Sequence, residues 1–93
     1  MITEDNIVDI IDELQIHIND SINRDGLVNV VEELSENVFI IITHVKDKLS
    51  DHVVWPTIVN RLRNISEMSA GDKASLNNKI IFKHMDLMDI LEN

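Results

Sequence analysis

The sequence predicts an all-α fold, a four-helix bundle with short connections, and the two apolar sides of its fourth helix add the expectation of a homodimer. Three observations predict the bundle. Apolar residues recur at helical spacing through four segments, breaks carrying turn residues separate those segments, and glycine and proline together number only three in 93 residues. A chain of this length builds one domain with a modest core, so residues 1–93 read as a single acidic helical domain.

The first helix is expected over residues 4–21. Ile7, Ile11, Leu14 and Ile18 recur at spacings of four, three and four. At about 100° per residue they share a sector of about 60°, with Asp5, Asp9, Asp12, Glu13 and Asp20 on the far side. Thr3 suits the N-cap, and Glu4 and Asp5 suit the positive helix end. "SINRDG" reads as a turn in which Asn23 or Asp25 caps the second helix.

That second helix is expected over 26–49, where Leu27, Val30, Val31, Leu34, Val38, Ile41, Ile42, Val45 and Leu49 hold one stripe. "VFIIITHV" is rich enough in β-branched residues to compete as a strand, but the stripe runs through both of its flanks without changing phase, which favours helix. Proline is tolerated in a first helical turn, so a third helix starts near Pro56 with Trp55 as a packing anchor before it. Its apolar side is Ile58, Val59, Leu62 and Ile65. Ser69 and Asp72 resemble a capping box for a fourth helix over 70–91. That helix is apolar on two sides: Leu76, Ile80, Leu87 and Leu91 on one, and Ala74, Ile81, Met85 and Met88, with Phe82 alongside, on the other. A helix with two apolar sides is central in its bundle or shared between chains, which makes Ile81, Phe82, Met85 and Met88 the candidate self-association residues.

Composition narrows the function. No cysteine is present, so there is neither a disulfide framework nor a thiolate metal site. "MITEDN" does not read as a secretory signal, and no apolar run approaches the roughly 18 residues of a membrane span, so a cytoplasmic protein without membrane contact is expected. His17, His44, His52 and His84 fall on different elements without helical ligand spacing, so no metal site is expected and half-buried or rim positions are. No nucleophile elbow or phosphate-cradling glycine loop occurs. These residues point to no catalytic residue, no cofactor and no enzyme.

Charge carries more information. Seventeen acids against eight bases give a formal net charge of −9, and residues 1–46 hold ten of those acids with only Arg24 and Lys46 against them. Such a chain is not expected to touch nucleic acid directly, because phosphates reward the opposite sign. Within helix 1 no lysine or arginine relieves the acidic arc, and Glu32, Glu33 and Glu36 repeat the imbalance on helix 2. Ile16 projects into the middle of the arc, where solvation alone would not place it. Two such helices, doubled by a dimer axis, would present two rows of negative charge to a protein that grips phosphates.

With "EDNIVDIIDELQIHIND" and "VVEELSEN" supplying the acids, the chain resembles the small acidic phage DNA-mimic proteins, among them the anti-restriction nuclease proteins of T-even phages. The resemblance implies a dimeric, phage-encoded inhibitor in the host bacterial cytoplasm. It would occupy the DNA-binding surface of a basic protein, either a restriction nuclease or a nucleoid protein. The residues implied to stand in for phosphates are Asp5, Asp9, Asp12, Glu13, Asp20, Glu32, Glu33 and Glu36. The second half of the chain, with seven acids against six bases, departs from an evenly acidic mimic. The alternative expectation is an immunity or adaptor protein that binds a partner through an apolar groove of Trp55, Phe82, Met85 and Met88, its acids serving solubility. A third is a structural subunit whose only partner is itself.

Overall fold

In the computed structural model, which describes residues 3–92, four helices form: α1 (Glu4–Ile22), α2 (Val28–Leu49), α3 (Trp55–Ser66) and α4 (Asn78–Glu92). No strand occurs among the described residues, and "VFIIITHV" lies wholly within α2. Helix α1 packs on α2, α2 on α4 and α4 on α3, while α3 closes the ring against α1 through fewer contacts. The Cα radius of gyration of 12.8 Å is that of a folded domain of this size.

Helix α1 opens as its sequence suggests, with the Thr3 hydroxyl accepting the Asn6 amide at 3.2 Å. Its buried stripe is rotated slightly from expectation. Val8, Ile11, Ile18 and Ile22 enter the core, whereas Ile7 and Leu14 sit half-buried. The rotation also buries Gln15, whose Nε2 donates to the Ile58 carbonyl at 3.1 Å and ties α1 to α3. One polar side chain in the stripe is stable here because its donor is satisfied.

The start of α2 differs from the sequence reading. Neither Asn23 nor Asp25 caps it; Leu27 holds the N-cap position without a side-chain bond of its own. Gly26, at φ +78°, turns the chain through the left-handed region just before it. The capping work is done from far along the chain by Ser75. Its hydroxyl accepts the Leu27 amide at 2.9 Å and donates to the Arg24 carbonyl, while its own amide donates to the Ile22 carbonyl at 2.9 Å. A local-sequence reading has no access to a cap supplied from 48 residues away.

The same contact explains why α4 begins at Asn78 and not near residue 70. The Ser69 amide does donate to the Asp72 carboxylate at 2.8 Å, but this closes a turn that no helix continues. Ser75 and Leu76 are then drawn into the α1–α2 corner, where both are buried. The helix starts only after them, with Asn77 Oδ1 accepting the Ile80 amide at 2.9 Å. Helix α3 begins one residue before Pro56, and the half-buried Trp55 packs against the core.

The core is mainly aliphatic, and its one titratable side chain among the described residues is His84, which is fully buried and not at a rim. Its Nδ1 lies 3.0 Å from the Ile80 carbonyl, so that nitrogen carries the proton and Nε2 presents a lone pair. Nε2 has no partner among the described residues; a cavity of about 30 Å³ lined by Gln15, Arg61 and Asn64 adjoins the ring. Burial disfavours the imidazolium and pushes the His84 pKa below 6.5, against a smaller opposing pull from the Ile80 carbonyl.

Ser75→Ala strands two backbone groups and is expected to lower stability by about 1–3 kcal/mol in urea unfolding. Because the His84 pKa is depressed in the folded state, the unfolded chain binds the extra proton. Stability is therefore complete above pH 6.5 and falls as pH drops from there towards the folded-state pKa, at up to about 1.4 kcal/mol per pH unit. Urea titrations across that range should show a shallower slope for His84→Gln.

Candidate functional site

The eight acids singled out by sequence divide into two groups once the helices pack. Asp12 on α1 is half-buried and bonded by the Arg61 guanidinium of α3. Glu36 on α2 lies 2.8 Å from Lys83 Nζ of α4, and that ammonium also stands 4.5 Å over the Phe39 ring. Glu32, also half-buried, accepts from Asn77 Nδ2 at 3.1 Å, with Lys79 Nζ at 4.0 Å. Asp20 pairs with Arg24 one turn on, at 3.3 Å and in solvent. The expected unneutralised wall is therefore corrected at Asp12, Glu32 and Glu36. Helix α1 lacks bases of its own, but α3 and α4 supply them across the seams.

Asp5 is a different case. The Val54 amide donates to His52 Nδ1 at 3.1 Å, which leaves the ring proton on Nε2, 2.9 Å from Asp5 Oδ1. A ring that accepts at one nitrogen and donates from the other is uncharged, so Asp5 is held in place without losing its charge.

Asp9, Glu13 and Glu33 are exposed and have no cationic partner among the described residues. Helical spacing puts Asp9, Glu13 and Asp20 on the side of α1 away from the core. Ile16 is 55% exposed among them, as its sequence position indicates. This half-paired face, with Asp5 at one end and Asp20 and Glu33 towards the other, is what remains of the anionic surface.

Beside it lies a feature that sequence reasoning misses. Ile7 and Ile10 of α1 and Ile40, Ile41 and Val45 of α2 line an open groove of about 500 Å³, with His44 and Lys48 completing its lining. Ile10 is 45% and Ile40 47% exposed, too much for core residues. The signal is present in the sequence: both isoleucines fall off the buried stripes of their helices. The long β-branched run of α2 hides it.

The residues expected to form an apolar partner groove or dimer face do not converge. Ile81 and Met88 are core residues of the domain, packed with Ile80 and Leu87. Phe82, at 58% exposure, stays outside on the far side of α4 from that core; Met85, at 45%, lies half out beside Met88 over the α3–α4 seam, and Trp55 packs inward. The two apolar sides of α4 are explained largely by its central place in the ring, against both α2 and α3.

The hydroxyls that donate do so to backbone carbonyls: Thr43 to Ile40, Ser66 to Arg63 and Ser75 to Arg24. Among the described residues no three of His, Asp and Glu converge to hold a metal ion, and no helix is long and apolar enough to cross a membrane. What the surface offers is charge and apolar area for binding. No family model, curated protein or solved structure matches the chain.

The division among the acids has a direct thermodynamic consequence. Asp12→Asn and Arg61→Gln should each destabilise the domain by about 1 kcal/mol and couple in a double-mutant cycle. Asp9→Asn should change stability by less than about 0.5 kcal/mol, or raise it slightly by relieving like-charge repulsion. Urea unfolding of the four variants checks both statements.

Proposed function

We propose that this chain is a non-enzymatic inhibitor that sets the acidic outer face of α1 and α2 against the DNA-binding surface of a basic protein, a restriction nuclease or a nucleoid protein, and so displaces DNA. The observation that supports the reading is the set of exposed carboxylates left without cations, Asp9, Glu13 and Glu33, flanked by Asp5 and Asp20. The helices are packed so that bases from the second half reach only the seams. Leaving this face unpaired costs self-repulsion and gives the domain no internal benefit, whereas a phosphate-binding surface would reward it.

The paired acids have a different role in this reading. Asp12, Glu32 and Glu36 hold neighbouring helices in place, and the phosphate-mimicking contacts fall to Asp5, Asp9, Glu13, Asp20 and Glu33. Acids one turn apart on a helix are about 6 Å apart along its axis, sparser than duplex phosphates. The active species is therefore a homodimer in which two copies of the face supply two rows. It acts in the cytoplasm of a bacterial host. Long-range attraction steers the encounter, and binding weakens steeply as salt rises.

Immobilised protein should retain basic DNA-binding proteins from a bacterial lysate at low salt and release them as salt increases. A protein recovered in this way and loaded with a labelled duplex should lose the duplex when the inhibitor is added. Asp9→Asn with Glu33→Gln should weaken that displacement at least about tenfold with the unfolding curve unchanged. Equal displacement by the double variant and the parent chain would contradict the proposal.

A further inference from the structure

The buried ring of His84 carries an inference that is independent of the acidic face. We propose that the cavity at the α1–α3 seam is a binding site for an ordered water molecule, which donates to His84 Nε2 and ties α4 to α1 and α3.

The ring sets the requirement. His84 is fully buried, and the Ile80 carbonyl 3.0 Å from Nδ1 can only accept, so the ring proton is fixed on Nδ1. Nε2 is then an acceptor in need of an N–H or O–H, and none of the described residues supplies one. The donors beside it are committed elsewhere: Gln15 Nε2 to the Ile58 carbonyl at 3.1 Å, and Arg61 Nη1 to the Asp12 carboxylate. A buried acceptor left dry loses its hydration without return, which is why such groups in folded proteins find a partner in protein or in ordered water.

Ser35 shows the contrast. Its hydroxyl is the other buried polar atom without a partner among the described residues. A serine within a helix can turn its hydroxyl to the carbonyl one turn back, so it requires no outside molecule. The imidazole, held by its Nδ1 bond, has no such freedom.

The cavity suits water in size and in chemistry. Its volume is about 30 Å³, and at roughly 10–15 Å³ per molecule it takes one water, or two at most. His84 Nε2 and Gln15 Oε1 face it as acceptors, while the Arg61 guanidinium and the amides of Asn19 and Asn64 can donate. Gln15 Oε1 has capacity to spare, because its contact with Arg61 Nη1 is long at 3.4 Å. A water can give one hydrogen to Nε2 and the other to Gln15 Oε1, and accept from Arg61 or an asparagine amide. That makes about three bonds, the number a buried water typically has.

Other occupants fit worse. A metal cation would meet the Arg61 guanidinium and a single imidazole, with no carboxylate in the lining. An anion would face the lone pair of Nε2. The place of the site gives the water its role: α3 meets α1 through fewer contacts than the other helix pairs of the ring make. A molecule bonded to His84, Gln15 and Arg61 joins three helices where direct packing is thinnest.

Nuclear magnetic resonance of the full chain at neutral pH tests the site. With nitrogen-labelled imidazoles, His84 is expected to show Nδ1 protonated and Nε2 unprotonated, the latter shifted upfield of a bare imidazole nitrogen by the bond it accepts. Its ring protons should give cross-peaks at the water frequency, opposite in sign between laboratory-frame and rotating-frame Overhauser spectra, as a long-lived bound water does. Water relaxation dispersion should count one long-lived water fewer in His84→Leu, which removes the acceptor, than in the parent chain. The spectra of the parent chain decide the matter by themselves, even where His84→Leu does not fold. An Nε2 resonance at the bare-imidazole position would overturn the site, since the cavity is then dry. A hydrogen-bonded Nε2 without a water cross-peak would overturn it as well, in favour of a protein donor, and so would an equal water count in a folded His84→Leu.

Discussion

The cations that α3 and α4 extend across the seams of the bundle govern the rest of the structure. Arg61 reaches Asp12, Lys83 reaches Glu36, and Lys79 approaches Glu32. Without them α1 and α2 would be two acid-rich helices packed side by side with only Arg24, Lys46 and Lys48 to offset their repulsion. The Arg61–Asp12 and Lys83–Glu36 pairs sit at partly buried seams, where the interaction is screened less than on open surface, whereas the Lys79 ammonium stays in solvent. They also divide the carboxylates into two populations. Those at the seams serve the domain, and those pointing away from it stay available to another molecule. The uneven charge of the two halves of the chain is thus partly resolved by folding, while Asp9, Glu13 and Glu33 stay exposed without a cation on the outer side of α1 and α2.

Much of the architecture is legible in the sequence because it is local. The stripe of Ile11, Leu14 and Ile18, the Thr3 cap and the proline near the start of α3 act within a turn or two of themselves, and the helices they specify are present. The features that local reasoning misplaces need a distant residue. Ser75 caps α2 from the loop before α4, and by doing so delays α4 until Asn77 can cap it. The pairing of Ser69 with Asp72 is a real local bond but not a helix start, because the same bond closes a turn. Periodicity puts His84 at a rim. It is buried because α4 packs against two neighbouring helices, a fact of tertiary arrangement.

The candidate surface is legible to a similar degree. Sequence spacing puts Asp9, Glu13 and Ile16 outward, where they are. It cannot show that Asp12, on the border of the same arc, turns towards Arg61, since the two lie 49 residues apart. Nor can it separate the two apolar sides of α4 into a core and an exposed remainder. Ile81 and Met88 go inward, and the groove that does form belongs to α1 and α2. A β-branched run that reads as a single block, "VFIII", serves two surfaces: Val38 and Ile42 inside, Ile40 out.

The account therefore turns on a single face, the outward side of α1 and α2, whose carboxylates the domain leaves unpaired. Amide chemical-shift mapping of the labelled chain against a purified basic DNA-binding protein that it displaces from DNA tests this most directly. The account predicts changes at Asp5, Asp9, Glu13, Asp20 and Glu33, with Asp12 and Glu36 little affected and the changes reversed by salt. Changes centred on Phe82 and Met85 and insensitive to salt would contradict it.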